Sequence, residues 1–128
     1  MSVANWSERL RQLGEAARDP RLAAFYRAGC PAAETPLGEA PLLAMDVETT
    51  GLEPGRDAIV SLGLVPFDLR RIRCQEARYW VVRPSSELHG DSVTFHHITH
   101  SDVRHAPPLD AVLGEVLEAL AGKLVVVH

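Results

Sequence analysis

Cysteine is nearly absent from this chain of 128 residues: Cys30 and Cys74 stand far apart and form no Cys-x-x-Cys pair. That spacing points away from a zinc or redox motif and from a disulfide framework. Lysine is scarcer still, since Lys123 is the lone lysine among 13 basic residues, the rest being arginine. With Lys and Arg totalling 13 against 17 Asp and Glu, the net charge is −4. A broad basic surface that coats nucleic acid is therefore excluded. A protein that grips a short strand end at a metal is not, because there the cation neutralises the phosphate. No apolar run is long enough to cross a bilayer. The opening "MSVANWSERLRQL" lacks the continuous apolar core of a secretion signal. The expectation is a cytoplasmic protein with no membrane partner. Repeats and low-complexity segments are missing as well.

What is present suits one soluble globular domain. Hydrophobic residues make up 46% and charged residues 23%, ordinary values for such a protein, and the length allows a single real core. Residues 1–29 read as a helical appendage. Asn5 with Glu8 fits a capping pattern, and Trp6, Leu10 and Leu13 recur at helical spacing. A second helix restarts at "DPRLAAFYRAG", with Asp19 as cap, Pro20 at the first helical position and Gly29 past the end. A helical pair packed on the main domain is preferred to a nucleic-acid or partner arm. Residues 30–40, "CPAAETPLGEA", read as a proline-rich linker.

The main domain spans residues 41–128. "LLAMDVE" reads as a strand and "TTGLEPGRD" as a turn. "AIVSLGLVPFD" is apolar on both faces and is expected at the centre of the sheet. "EARYWVVRP" supplies a third strand, and the short connections predict an antiparallel meander. Residues 85–106 form a polar, histidine-rich loop with room for a short helical turn. Leu109, Val112, Leu113, Val116, Leu117 and Leu120 then make one apolar helical stripe, opened by Pro107 and Pro108 and closed by Gly122. "LVVV" reads as a fully buried strand, reached by a crossover and parallel to an existing one. If that neighbour is the first strand, Glu48 and His128 lie at matching carboxyl ends, where open α/β sheets place their sites.

Asp46 and Glu48, two apart in a strand, project from one face. Carboxylates so close repel unless protonated or bridged by a cation, and hard divalent ions such as magnesium or manganese prefer oxygen ligands. Two such ions can activate water and stabilise the leaving oxygen in phosphodiester hydrolysis. The plainer alternative is a strand end meeting solvent. The T-T-G-L that follows adds glycine-turn amides able to approach a sugar or phosphate, and Leu52 as an apolar surface for a base.

"LAMDVETTGLEPGRDAIVSLGLVPFD" resembles the first motif and second strand of the DEDD-type 3′–5′ exonucleases. These share the RNase H-like fold and include the proofreading epsilon subunit of bacterial DNA polymerase III. "FHHITHSDVRHAPPLDAVLGEVLEALAGKLVVVH" resembles that family's H-G-I-T loop, helix and next strand, with histidine at position 97 where glycine is usual. The resemblance covers residues 42–128. It implies an α/β, RNase H-like mixed sheet: a three-strand antiparallel meander, a crossover helix and a parallel strand, with the helical appendage added. It implies Asp46 and Glu48 as catalytic metal ligands for two divalent cations, Mg2+ or Mn2+. Thr49, Thr50, Gly51, Leu52 and His96 become substrate-binding residues, and His128 can line the site. The implied substrate is a single-stranded nucleic-acid 3′ end, with a DNA polymerase as a candidate partner. The family's third acid follows the strand that ends at His128, and its catalytic histidine and fourth acid come later. Residues 41–128 are thus expected to be the N-terminal part of an exonuclease domain, inactive alone and completed by a longer chain or a partner.

Four other readings are open to the same sequence. His96, His97 and His100 are clustered, but no cysteine or carboxylate pattern makes them a zinc site. Arg70, Arg71, Arg73 and Arg78 read as a solvated hairpin, with a phosphate-contacting edge as the alternative. D-V-E-T-T also faintly resembles the nucleophile motif of haloacid-dehalogenase-type phosphatases, which requires a parallel Rossmann-like sheet. A non-catalytic docking or binding module for a polymerase is the reading outside enzymes.

Overall fold

The computed structural model describes residues 5–84 and 100–128. The expectations for His89, His96 and His97 lie outside those residues, as does most of the 85–106 loop. Two helices come first, α1 (Trp6–Ala16) and α2 (Pro20–Arg27). Their starts follow from local chemistry. The Asn5 side chain accepts a hydrogen bond from the Glu8 amide at 3.1 Å, and Asp19 accepts from the Arg21 amide at 2.8 Å, each satisfying an orphan donor of the first turn. Gly29, at φ +75°, ends α2 in the left-handed conformation that glycine tolerates best.

A four-stranded sheet follows, built from β1 (Leu42–Thr49), β2 (Ile59–Phe67), β3 (Arg78–Val81) and β4 (Leu124–Val127). The spatial order is β3-β2-β1-β4. β1 pairs antiparallel with β2, β2 antiparallel with β3, and β1 parallel with β4. The meander, the crossover and the parallel final strand stand as the sequence implies. β2, apolar on both faces, is an interior strand. The antiparallel β1–β2 pair also removes the wholly parallel sheet that a dehalogenase-type phosphatase would need.

Between β3 and β4 run α3 (His100–His105) and α4 (Leu109–Leu120). The Arg83 amide donates to the Pro107 carbonyl at 2.8 Å, tying the start of α4 to the end of β3. The stripe on α4 is turned inward, with Val116 and Leu117 buried. α4 covers the sheet face that carries Leu43, Leu62, Leu64 and Trp80, and the Trp80 indole donates to Glu115 at 3.2 Å. α1 and α2 pack on each other and α2 packs on α4. One arginine makes the latter contact specific: Arg21 donates to the Asp110 carbonyl and to its carboxylate, both at 2.8 Å. The same guanidinium, through its hydrogen bond to Asp19, holds that carboxyl down to about 2.

Two details differ from the sequence expectation. β3 is shorter than residues 76–84, because Cys74–Glu76 form a 3-10 turn and pairing stops at Val81. β4 is not fully buried. It is an edge strand, with Leu124, Val126 and Val127 exposed by 40%, 46% and 65%, and among the described residues only β1 pairs with it. An all-apolar run reports what a strand needs, whereas its place in the sheet decides what it receives. Among the described residues no helix is long and apolar enough to cross a membrane.

Leu64, 1% exposed in the middle of β2, is the test of this packing. Leu64→Ala leaves a cavity under α4 and is expected to cost about 2–5 kcal/mol, read as a lower urea midpoint at unchanged slope.

Candidate active site

Strand alternation puts Asp46 and Glu48 on the face of β1 away from α4. Asp46 is exposed and Glu48 half-buried. Among the described residues neither carboxylate accepts a hydrogen bond or joins an ion pair, and no group of three or more metal-ligating side chains gathers. Two unpartnered carboxylates on one face suit part of the oxygen shell of a hard divalent cation, which would relieve their repulsion. Val47 turns into the opposite layer. β4 runs parallel to β1 with Val127 beside Met45, so His128, exposed just past the strand, follows at the level of Asp46. β1 runs on to Thr49, so His128 stands level with Asp46 and two residues short of Glu48, not at a matching strand end.

The turn after β1 is held by a residue to which sequence reasoning assigned no role. The Asp57 carboxylate, 9% exposed, accepts from the Thr50 hydroxyl at 3.1 Å and from the Glu53 amide at 2.9 Å. Thr50 also accepts from the Ala58 amide at 2.9 Å, and its own amide donates to the Ala58 carbonyl at 2.9 Å. The Thr49 hydroxyl donates to the Gly51 carbonyl at 2.7 Å. Both hydroxyls are therefore spent on the turn. Gly51 is there because space demands it: a Cβ would lie 2.5 Å from Asp57 Oδ2. Leu52 is left at the tip, 97% exposed. The amide of Glu53, then burial and the Thr50 hydroxyl, set the Asp57 carboxyl, with the net effect of holding it below the usual aspartate range. The only hint in the sequence was the acid's position before "AIVSLG".

The arginines expected at the hairpin are partly engaged. Arg73 pairs with Asp68 at 3.1 Å, and Arg78 pairs with Glu115 at 3.3 Å while lying over the Trp80 ring. His100 opens α3. The four residues 49–52, expected from the sequence to bind substrate, come together in one turn beside the acid pair, whereas His96 lies outside the described residues.

Comparison with known proteins agrees with this fold. The RNase T exonuclease family model matches residues 43–128. The PolC-type DNA polymerase III of Thermotoga maritima is 28% identical over 95 residues, covering 74% of this chain and 7% of the polymerase. Exonuclease X, solved in complex with 5′ overhanging duplex DNA, superposes with a TM-score of 0.54 at 24% identity, covering 68% of this chain and 48% of that one. A full-length 3′-exonuclease superposes with a TM-score of 0.54 at 20% identity, covering 94% of this chain and 48% of that one. At these identities the two structures report the fold alone. The chain spans about half the length of these solved relatives and a small part of the polymerase.

Gly51→Ala is expected to cost about 1–3 kcal/mol by overpacking the turn; an unchanged urea midpoint would contradict the close approach. Because the folded pKa of Asp57 lies below its unfolded value, its contribution is complete above the ordinary aspartate range. It is lost as pH falls through the depressed folded value. The protection factors of the Glu53 and Ala58 amides, corrected for intrinsic exchange, should therefore fall in acid, and Asp57→Asn should flatten that pH dependence.

Proposed function

Because the chain belongs to the RNase T exonuclease family, we propose that it carries the first acid pair of a metal-dependent 3′–5′ exonuclease. Its substrate in this reading is the 3′ end of a single-stranded nucleic acid. The observation that carries the proposal is the acid pair itself: Asp46 and Glu48 share the face of β1 away from α4, without partners among the described residues, directly before the Asp57-pinned turn.

In this reading Asp46 and Glu48 hold divalent cations, magnesium or manganese, through hard oxygen donors. Two such ions, when bound, supply an activated water and charge stabilisation for the leaving oxygen. The protein's own part is positioning. β1 is held by β2 along both acid positions and by β4 as far as Met45, which keeps the two carboxylates on one face. The turn offers the Gly51 backbone and the Leu52 side chain to the sugar and base of the terminal nucleotide. The remaining oxygen ligands and the general base come from elsewhere in the whole protein or from a partner. The likeness to a PolC-type polymerase supports a place beside a DNA polymerase.

The full-length protein should shorten a 5′-labelled single strand from its 3′ end and release mononucleotides, and chelation of divalent ions should stop it. Asp46→Ala or Glu48→Ala should each lower kcat by at least about 100-fold, since loss of several kcal/mol of charge stabilisation is at stake. Undiminished release by either variant overturns the assignment.

A further inference from the structure

We propose that Tyr79 is a binding residue for the nucleic-acid strand, stacking on a base whose 3′-side phosphodiester lies at Asp46 and Glu48. The inference deepens the exonuclease reading and rests on it for the identity of the strand. It starts from the sheet register. Asp46 faces Gly63 across the β1–β2 pair, and Gly63 faces Tyr79 across the β2–β3 pair. Residues directly opposite share a face, so Asp46, Gly63 and Tyr79 form one row on the side away from α4. Two strand spacings separate the ends of that row by about 10 Å, within the span of a dinucleotide.

No side chain of the row itself separates them, because the middle position is glycine. The Tyr79 ring leans toward that gap: its Cδ2 would be 3.8 Å from a Cβ on Gly63. Tyr79 is 61% exposed, and among the described residues its hydroxyl makes no hydrogen bond and its ring no aromatic or cation contact. A large exposed ring beside an acid pair costs apolar hydration unless something covers it.

The neighbouring hollow indicates what covers it. A cavity of about 530 Å³ lies against Tyr79, with Val81, Ala106 and Pro107 as apolar walls and Ser101, Asp102 and His105 as polar ones. A flat base with polar edges fits such walls, and stacking tolerates any base because each has a π-face.

The test is fluorescence anisotropy of a 5′-labelled oligothymidylate with the full-length protein at low salt. It is run in the Asp46→Asn, Glu48→Gln background, which cannot turn the strand over and lacks its repulsion. Tyr79→Ala should raise Kd by about 5- to 100-fold, the range of one base stack. Tyr79→Phe should stay within about twofold, since it keeps the ring face. An oligonucleotide abasic in its 3′-terminal dinucleotide should erase the difference between Tyr79 and Tyr79→Ala. Equal binding by Tyr79→Ala on the normal strand, an equal loss on the abasic strand, or no binding by the parent each overturns the proposal. Nucleotide release by the unmodified protein is read separately. A binding effect without release leaves Tyr79 as a strand contact and removes the exonuclease reading.

Discussion

Two carboxylates on one face of one strand repel, and everything around β1 bears on keeping them there. A carboxylate pair at a free chain end would relax by turning apart. Here the backbone of both is fixed by the ladder to β2, opposite Gly63 and Ser61, with β4 bracing β1 as far as Met45. The reverse face of β1 is pressed against α4 through Leu43, and the register beside Asp46 is fixed by Gly63. The repulsion is thus stored in a rigid element, where a divalent cation relieves it most.

Rigidity at the strand passes into the turn through Asp57. Its carboxylate bridges the Thr50 hydroxyl and the Glu53 amide, and its bulk excludes any side chain at position 51. A glycine-rich turn is ordinarily the most mobile part of a chain. Here a nearly buried acid makes it a fixed ledge, with Leu52 as the one large apolar group presented outward. The bulge between Glu48 and Thr49 falls where strand geometry hands over to that ledge, the usual place for a bulge beside a site.

Local chemistry was legible in the sequence, and neighbours were not. Asn5, Asp19 and Gly29 act as caps because their roles depend on the next few residues alone. The α4 stripe and the interior place of β2 could be read because burial imposes a period or its absence. β4 was misjudged because an apolar run carries no record of whether a second layer covers it. Asp57 was overlooked as an organiser because its partners lie four to seven residues back across a turn, at no fixed period. The row from Asp46 through Gly63 to Tyr79 needs the register of two strand pairs, which no single segment contains. The acid pair could be singled out because strand alternation alone places both carboxylates together.

Charge decides how such a site can hold a strand. Among the described residues Arg11, Arg21, Arg56, Arg73 and Arg78 sit in ion pairs with the protein's own acids, leaving less positive charge for a phosphate backbone. Exposed pairs of this kind add little stability, so their larger effect is on the surface potential. With a net charge of −4, this chain does not offer the broad basic surface on which counterion release depends. Cations at Asp46 and Glu48 would have to neutralise the phosphate at the reacting end. Uncharged surfaces, the Leu52 tip and the Tyr79 ring, would then supply contact with the bases. A strand held in that way is gripped at its end and not along its length, and binding at the end is the geometry that exonucleolytic cutting requires.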